Sequence, residues 1–180
     1  MKDLSLHIID IIQNSVSAGA RRIDLTVEED LAADRLRIVI TDNGRGMTPQ
    51  QVQNLSDPFF TTRTTRKVGM GVPLFRQNAE QTEGRLTVDS TPGQGTTLTA
   101  EFKHSHVDRP PLGDLANSFI LMVAANPDIE FGLRYVFNGD EYRFDTVEVK
   151  EALDGMPINN PSIVNMLEEM IKENIRSLQS

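Results

Sequence analysis

A short apolar strand that ends in an acid and two glycines constrains this chain more than any other stretch. Residues 35–40 (RLRIVI) alternate in polarity, and Thr41-Asp42-Asn43-Gly44-Arg45-Gly46-Met47 follows directly. The pattern predicts a half-buried strand with a carboxylate at its end, where it can accept a hydrogen bond from a bound amine. The glycines allow a flat ring or another backbone to come close. Asp-Asn-Gly is also an ordinary turn signal, so this stretch alone leaves a plain turn and a binding site open.

Composition excludes several classes of protein. The 180 residues are 38% hydrophobic, and 26 acidic against 18 basic residues give a net charge of −8, which disfavours a nucleic-acid binder. There is no cysteine, so disulfides, thiol catalysis and cysteine metal sites are excluded. No run approaches the ~20 apolar residues of a membrane span. The first residues lack the apolar segment of a signal peptide, and a cytoplasmic location is expected.

The first predicted helix, residues 4–18, has one apolar and one polar face. Its apolar residues are spaced for a helix buried on one side, and they are Leu4, Ile8, Ile11, Ile12 and Val16. The polar face carries His7, Asp10, Asn14 and Ser17. This face is either solvated or the wall of a site. In the second case the amide oxygen of Asn14 suits Mg²⁺, and Asp10, one turn earlier, would hold or deprotonate a water.

Two further stretches predict contacts with an anion. Asp57 to Arg63 (DPFFTTR) precedes a polar, basic run that includes Arg66 and Lys67. Gly69-Met70-Gly71 then opens a helix predicted over about 72–82, and the first N–H groups of a helix favour phosphate. Arg63, Arg66 and Lys67 would add charged contacts to phosphate oxygens.

An antiparallel hairpin is predicted next. Leu86 and Val88 alternate, as do Leu98, Ala100 and Phe102, on either side of a Pro-Gly turn. Thr96 begins the second strand, where its hydroxyl is either a ligand contact beside Asp42 or simply part of a β-forming residue.

These stretches, in this order, resemble the GHKL ATPase superfamily, which includes gyrase, Hsp90, histidine kinases and MutL-type repair proteins. Residues 6–20 (LHIIDIIQNSVSAGA) resemble the N box and 42–47 (DNGRGM) the G1 box. Residues 57–63 (DPFFTTR) resemble the F box of histidine kinases, 69–74 (GMGVPL) the G2 box, and 93–97 (GQGTT) the last, threonine-bearing box. The resemblance covers about residues 4–103 and implies the two-layer α/β sandwich, or Bergerat fold, of the α+β class.

The resemblance implies a role for each matching residue. Asn14 would coordinate the Mg²⁺ that bridges the phosphates of ATP, and Asp42 would bind the adenine amino group. Around the base, Gly44 and Gly46 would leave room, Met47 would pack on the ring and Thr96 would complete the pocket. Residues 61–68 would form a lid over the phosphates. The remaining nucleotide contacts would be Phe60, Thr61, Thr62, Arg63, Gly69, Met70, Gly71 and Val72.

Four departures from the family pattern bear on catalysis. Members that hydrolyse ATP carry Glu where this chain has Asp10, which is one methylene shorter. Ser17 stands where repair-type members have a carboxylate, and the lid is short. No dimerisation helices with a phosphoacceptor histidine precede the N box, so a complete sensor kinase is not expected.

The remaining chain predicts an extension of the ATP-binding domain. The domain is expected over residues 1–104, a linker over 105–111, and an α-β-β-α-α module over 112–180. Its apolar content suits a core of its own, docking on the first domain, or a homodimer face. Three functions stay open: a stand-alone protein kinase related to anti-sigma-factor kinases that acts on a regulatory protein, a weak ATPase, or a non-catalytic switch driven by ATP.

Overall fold

The computed structural model describes residues 3–55 and 71–180, which contain six helices and six strands. The helices are α1 (Leu4–Ser17), α2 (Pro49–Leu55), α3 (Gly71–Gln81), α4 (Leu115–Ala125), α5 (Thr146–Leu153) and α6 (Pro161–Gln179). The strands are β1 (Arg22–Asp30), β2 (Arg35–Asp42), β3 (Arg85–Thr91), β4 (Gly95–Lys103), β5 (Glu130–Phe137) and β6 (Asp140–Asp145).

The strands form one mixed sheet in the order β3-β4-β2-β1-β5-β6. All neighbours are antiparallel except β1 and β5, which run parallel. Helices α1, α3, α4 and α6 pack together over one face of this sheet. The architecture is therefore an α+β two-layer sandwich, as the sequence predicts.

Side-chain alternation explains why only one face of the sheet is covered. In the central strands every second residue is buried, among them Ile23 and Leu25 in β1 and Ile38 and Ile40 in β2. The apolar stripe of α1 lies against this inner face, and the whole set forms one hydrophobic core. The outer face carries charged residues that pair across strands, such as Arg37 with Glu101. This pattern is typical of a half-solvated antiparallel sheet.

The C-terminal segment continues the sheet of the N-terminal part. β5 hydrogen-bonds to β1 along its length, from Arg22 opposite Glu130 to Glu29 opposite Phe137. On the outer face, the Arg22 guanidinium donates to both carboxylate oxygens of Asp145, at 3.1 and 2.9 Å, and holds the pKa of that carboxyl below its usual range. Of the roles left open for this segment, docking on the first domain is the one that the structure shows; the domain boundary itself stays a prediction.

Local sequence signals explain several of the element ends. Asn138 and Gly139 both have positive φ, at 49° and 90°, as a two-residue hairpin turn between β5 and β6 requires. The Asn160 side chain accepts from the N–H of Ser162 and caps α6. α4 begins at Leu115, three residues after the predicted start of the module at 112, and the side chain of Asp114 caps it by accepting from the N–H of Asn117. Among the described residues, none of the helices combines the length and the apolar character needed to cross a bilayer.

A partly buried carboxylate joins four segments at the end of the sheet remote from Asp42. Glu29 of β1 accepts hydrogen bonds from His104 Nε2 at 2.9 Å, from the hydroxyl of Tyr135, and from Gln179 Nε2 at 3.2 Å. Burial alone would raise the pKa of Glu29, but these three hydrogen bonds outweigh it, and its pKa lies below the usual value. Glu29 thereby fastens the end of α6 to the central strands.

Replacing Glu29 by glutamine is expected to lower the free energy of unfolding by roughly 1–3 kcal/mol at pH 7, the contribution of charged hydrogen bonds to a partly buried group. Because the folded-state pKa of Glu29 is lowered, its contribution is full above the unfolded-state value. It is lost as the pH falls from that value through the lower folded-state pKa. Urea unfolding of the parent and the variant, at pH 7 and at a pH below about 4, measures this difference in stability. Glu28→Gln is the matched control, since within the described residues the Glu28 carboxylate makes only a 3.6 Å ion pair with Arg35. Equal losses in the two variants would contradict the prediction.

Candidate functional site

A cleft of about 230 Å³ opens between α1 and the inner-face ends of β2, β3 and β4. Its floor is apolar and its rim is polar. The lining residues are Ile11, Asn14, Ser15, Ser17, Ala18, Ile40, Asp42, Arg45, Gly46, Met47, Leu55, Val72, Val88, Thr96 and Leu98. A cleft with an apolar floor and few polar groups suits a flat heterocycle that needs specific hydrogen bonds at one edge.

Asp42 is the one carboxylate among the lining residues, and both of its oxygens are held. Oδ1 accepts from the backbone N–H of Gly44 at 2.8 Å. Oδ2 accepts from the hydroxyl of Ser15 at 2.6 Å. Each oxygen keeps a second lone pair, so the carboxylate is a fixed acceptor that faces the cleft. It suits a ligand that presents an N–H donor.

The loop after Asp42 is bound to both sides of the cleft. The N–H of Arg45 donates to Ala18 O at 2.9 Å, and the carbonyl of Arg45 accepts from Gly93 N at 2.6 Å. Gly46 has φ +70°, and a Cβ there would lie 2.0 Å from the carbonyl oxygen of Thr91. Glycine at 46 thus lets the loop cross the β3–β4 turn. The room that the resemblance assigns to the base at Gly44 and Gly46 stays a prediction.

Ser90 of β3 connects this loop to Thr96. Its hydroxyl oxygen accepts from the N–H of Met47 at 2.8 Å and lies 3.0 Å from Gly95 O and 2.8 Å from Thr96 Oγ1. Thr96 is also the cross-strand partner of Asp42. Met47, Thr96 and Asp42 are therefore positioned as one unit at the same end of the cleft.

The polar face of α1 divides between the cleft and other contacts. Asn14 and Ser17 line the cleft. Asp10 is outside that lining and sits where α3 begins, since a Cβ on Gly71 would lie 2.9 Å from the Cβ of Asp10. His7 is buried, stacks on Phe75 with ring centroids 5.1 Å apart, and bonds Asn78 at 2.8 Å. His7 therefore belongs to the packing of α1 against α3.

The structure brings together most of the predicted site residues that it describes. Those that line the cleft are Asn14, Asp42, Gly46, Met47, Val72 and Thr96. Gly44 binds the Asp42 carboxylate through its N–H, and Gly71 lies beside Asp10 at the start of α3. The predicted contacts Phe60, Thr61, Thr62, Arg63, Gly69 and Met70 lie outside the described residues. The roles of all these residues toward a nucleotide stay predictions.

Two hydroxyls at the site were missed by the sequence analysis. Ser15 lies four residues after Ile11, within the apolar stripe of α1, and a lone hydroxyl in such a stripe signals a buried partner. Ser90 lies two residues after Val88, so strand alternation places it on the inner face. Both signals are present in the sequence, but neither names the partner.

Comparison with known proteins identifies the family of this cleft. Residues 2–106 match the sequence profile of the family described as "Histidine kinase-, DNA gyrase B-, and HSP90-like ATPase". The chain is 36% identical over 92 residues to the "Sensor protein kinase FleS" of Pseudomonas aeruginosa, covering 51% of this chain and 23% of that protein. It is 33% identical over 106 residues to the "Probable C4-dicarboxylate sensor kinase" of Bacillus subtilis, covering 56% of this chain and 19% of that protein.

The matched segment is a small part of each of these kinases, but it includes the described elements that form the cleft. The chain spans less than a quarter of the length of either kinase. The family match, however, contains every described element that forms the cleft, from α1 to β4. Because that match covers more than half of the chain, the protein belongs to the histidine kinase-, DNA gyrase B- and HSP90-like ATPases.

Proposed function

We propose that the cleft binds Mg-ATP with its adenine at Asp42, and that the protein transfers the γ-phosphoryl group to a regulatory protein partner. The observation that carries this proposal is the Asp42 carboxylate, fixed by Ser15 and Gly44 at the end of an apolar cleft. Adenine offers an amino donor on one edge of a flat apolar ring, which matches that arrangement. Family membership supports nucleotide binding, and the similarity to sensor kinases supports a role in signalling.

The residues present fit a magnesium ion that is held partly by the nucleotide. Among residues 3–55 and 71–180, no group of three or more His, Asp or Glu side chains is arranged to hold a metal by itself. Mg²⁺ bound to ATP takes only one or two protein ligands beside phosphates and water. Asn14, whose amide lies on the cleft wall, would be that ligand. Bound there, the ion would neutralise charge on the transferred phosphoryl group.

Asp10 is the residue proposed to accept the proton during transfer. It lies one helical turn before Asn14 on α1 and beside the first residue of α3. The hydroxyl of a partner's Ser or Thr would attack the γ-phosphorus as the bond to the β–γ bridging oxygen breaks. Its proton would pass to Asp10. Such general-base help is typically worth about 10²–10⁴ in rate. Because Asp is shorter than Glu, a hydroxyl pressed in by docking reaches it more readily than a free water.

A second candidate, an ATP-dependent switch, is favoured by contacts between the cleft and the C-terminal segment. Asn43 Oδ1 accepts from the N–H groups of Arg21 and Arg22, at 2.8 and 2.9 Å. The carbonyl of Arg21 accepts from Glu130 N, at the start of β5, at 2.9 Å. A ligand that moved the loop after Asp42 would therefore pull on the strand that carries the C-terminal segment.

Incubation with γ-labelled ATP and a cell lysate separates these candidates. We expect label on a partner protein, and Asp10→Asn should reduce that labelling about 100-fold or more while ADP affinity stays within a few-fold. Gln13→Ala is the matched control, because Gln13 is an exposed residue of the same helix outside the cleft lining. Release of free phosphate alone would indicate an ATPase. Binding with neither product would indicate the switch, and full activity of Asp10→Asn would remove Asp10 from the reaction.

A further inference from the structure

One edge of the sheet is open in the part of the chain that the structure describes. β3, at one edge, is contacted by α2. β6, at the other edge, has β5 on one side and no described strand on the other. Its outer backbone N–H and C=O groups are therefore available to a further strand. The residues of β6 are Asp140, Glu141, Tyr142, Arg143, Phe144 and Asp145.

The helix above this edge leaves an apolar flank uncovered. On α6, Ile163, Leu167 and Ile171 are buried in the core. Glu168 bonds Asn117 of α4 at 3.1 Å, so that flank of α6 faces α4. At 100° per residue, Met166 and Met170 lie on the opposite flank, beyond β6, and they are 53% and 38% exposed. Because α6 contacts β6, this apolar flank adjoins the open strand.

Two registers pair five of the six β6 residues with a second β6, and only the register centred on Tyr142 places opposite charges face to face. Two copies that keep their helices on the same face of a joined sheet must pair β6 antiparallel about a single residue. Centred on Tyr142, Glu141 faces Arg143 of the other copy twice, and the two Tyr142 rings face each other. If the pair is instead centred on Glu141 or on Arg143, the central residue faces the same residue of the other copy, so like charges meet. Opposite charges directly across a pair stabilise it and like charges destabilise it.

We infer that the β6 edge, with Met166 and Met170 of α6, is a homodimer interface that joins two sheets through a Tyr142-centred pair of β6 strands. Charges on an edge strand also serve to keep other strands away, which is the ordinary interpretation of such residues. A pattern made only for repulsion would carry one sign, whereas Glu141 and Arg143 alternate and stand 36% and 69% exposed. Within one copy, Glu141 already binds Arg134 at 3.1 Å and also Arg143. In the dimer, Glu141 and Arg143 of the two copies would form one network of four side chains.

A charge-swap experiment tests this interface. Analytical ultracentrifugation of the full chain should show a dimer, and Arg143→Glu or Glu141→Arg alone should weaken it roughly tenfold or more, since both cross-strand contacts become repulsive. Mixing the two single variants in equal amounts should restore dimers, because each Glu then faces an Arg. A monomeric parent, single variants that dimerise like the parent, or a mixture that stays monomeric would each overturn the inference.

Cross-linking tests the register without altering any charge pair. The chain has no cysteine, so an introduced thiol reacts only with its own copy. In Tyr142→Cys, the introduced thiols of the two copies face each other at the centre of the pair, within reach of a disulfide. In Glu141→Cys, position 141 of one copy lies two residues along the strand from position 141 of the other. The two Cα atoms are then beyond the ~7 Å limit for a disulfide. We expect mild oxidation to join Tyr142→Cys much faster than Glu141→Cys. Equal rates would overturn the proposed register.

Discussion

Replacing Asp42 by asparagine is expected to weaken ADP binding about tenfold to a hundredfold. The hydrogen bonds already made by Asp42 determine how the new amide must lie. The N–H of Gly44 requires an acceptor at the position of Oδ1, so the amide oxygen stays there and the amide nitrogen takes the position of Oδ2. The Ser15 hydroxyl can turn and accept from it. The cleft then presents a donor where adenine also presents a donor.

The size of the effect follows from the loss of a charged hydrogen bond in a partly enclosed cleft. Such a bond is worth roughly 1.5–3 kcal/mol, which corresponds to the stated loss in affinity. Isothermal titration calorimetry with ADP and magnesium measures it. Ser15→Ala is the matched control, since it removes a partner of Asp42 but leaves the acceptor in place, and it should weaken ADP by only a few-fold.

The same substitution should change which base the cleft prefers. A nucleotide with a carbonyl oxygen in place of the amino group, such as IDP, meets an acceptor in the parent protein and a donor in Asp42→Asn. The ratio of ADP to IDP affinity should therefore fall in the variant, even if both bind weakly. An unchanged ratio, or an unchanged ADP affinity, would mean that the base does not contact Asp42.

Replacing Gly95 by alanine is expected to lower the free energy of unfolding by roughly 2–5 kcal/mol. Gly95 has φ +116°, and a Cβ there would lie 2.0 Å from the carbonyl oxygen of Asp42. The variant must therefore strain its own backbone and also push β2 away from β4. Because the obstacle is the backbone of Asp42 itself, ADP affinity should fall as well.

Gly93 provides the matched control in the same turn. It has φ +79°, but no heavy atom lies within 4 Å of the position of its Cβ. Gly93→Ala should therefore show backbone strain alone, roughly 1–2 kcal/mol, with ADP affinity unchanged. Urea unfolding and calorimetry on both variants separate the two effects. Equal losses of stability would show that the close approach of Gly95 to β2 has no energetic weight.

Local sequence patterns sufficed for most of the helices and strands. The strand before Asp42, the apolar stripe of α1 and the Asn138-Gly139 turn each follow from residues that are close in the chain. The order of the five boxes added the family, and with it the fold and the clustering of Asn14, Asp42 and Thr96. Periodicity and turn chemistry are local properties, so a single sequence carries them.

Partners that are distant in the chain were decided only by the tertiary structure. The sequence left the place of residues 112–180 open, because nothing local tells an apolar strand such as β5 which edge it will join; it joins β1. It missed the bonds from Ser15 to Asp42 and from Ser90 to Thr96, since a hydroxyl carries no label for its acceptor. It placed Asp10 beside Asn14 but not against Gly71, because that contact depends on how closely α1 and α3 pack. Local spacing determined which residues share a face, and packing determined what each face meets.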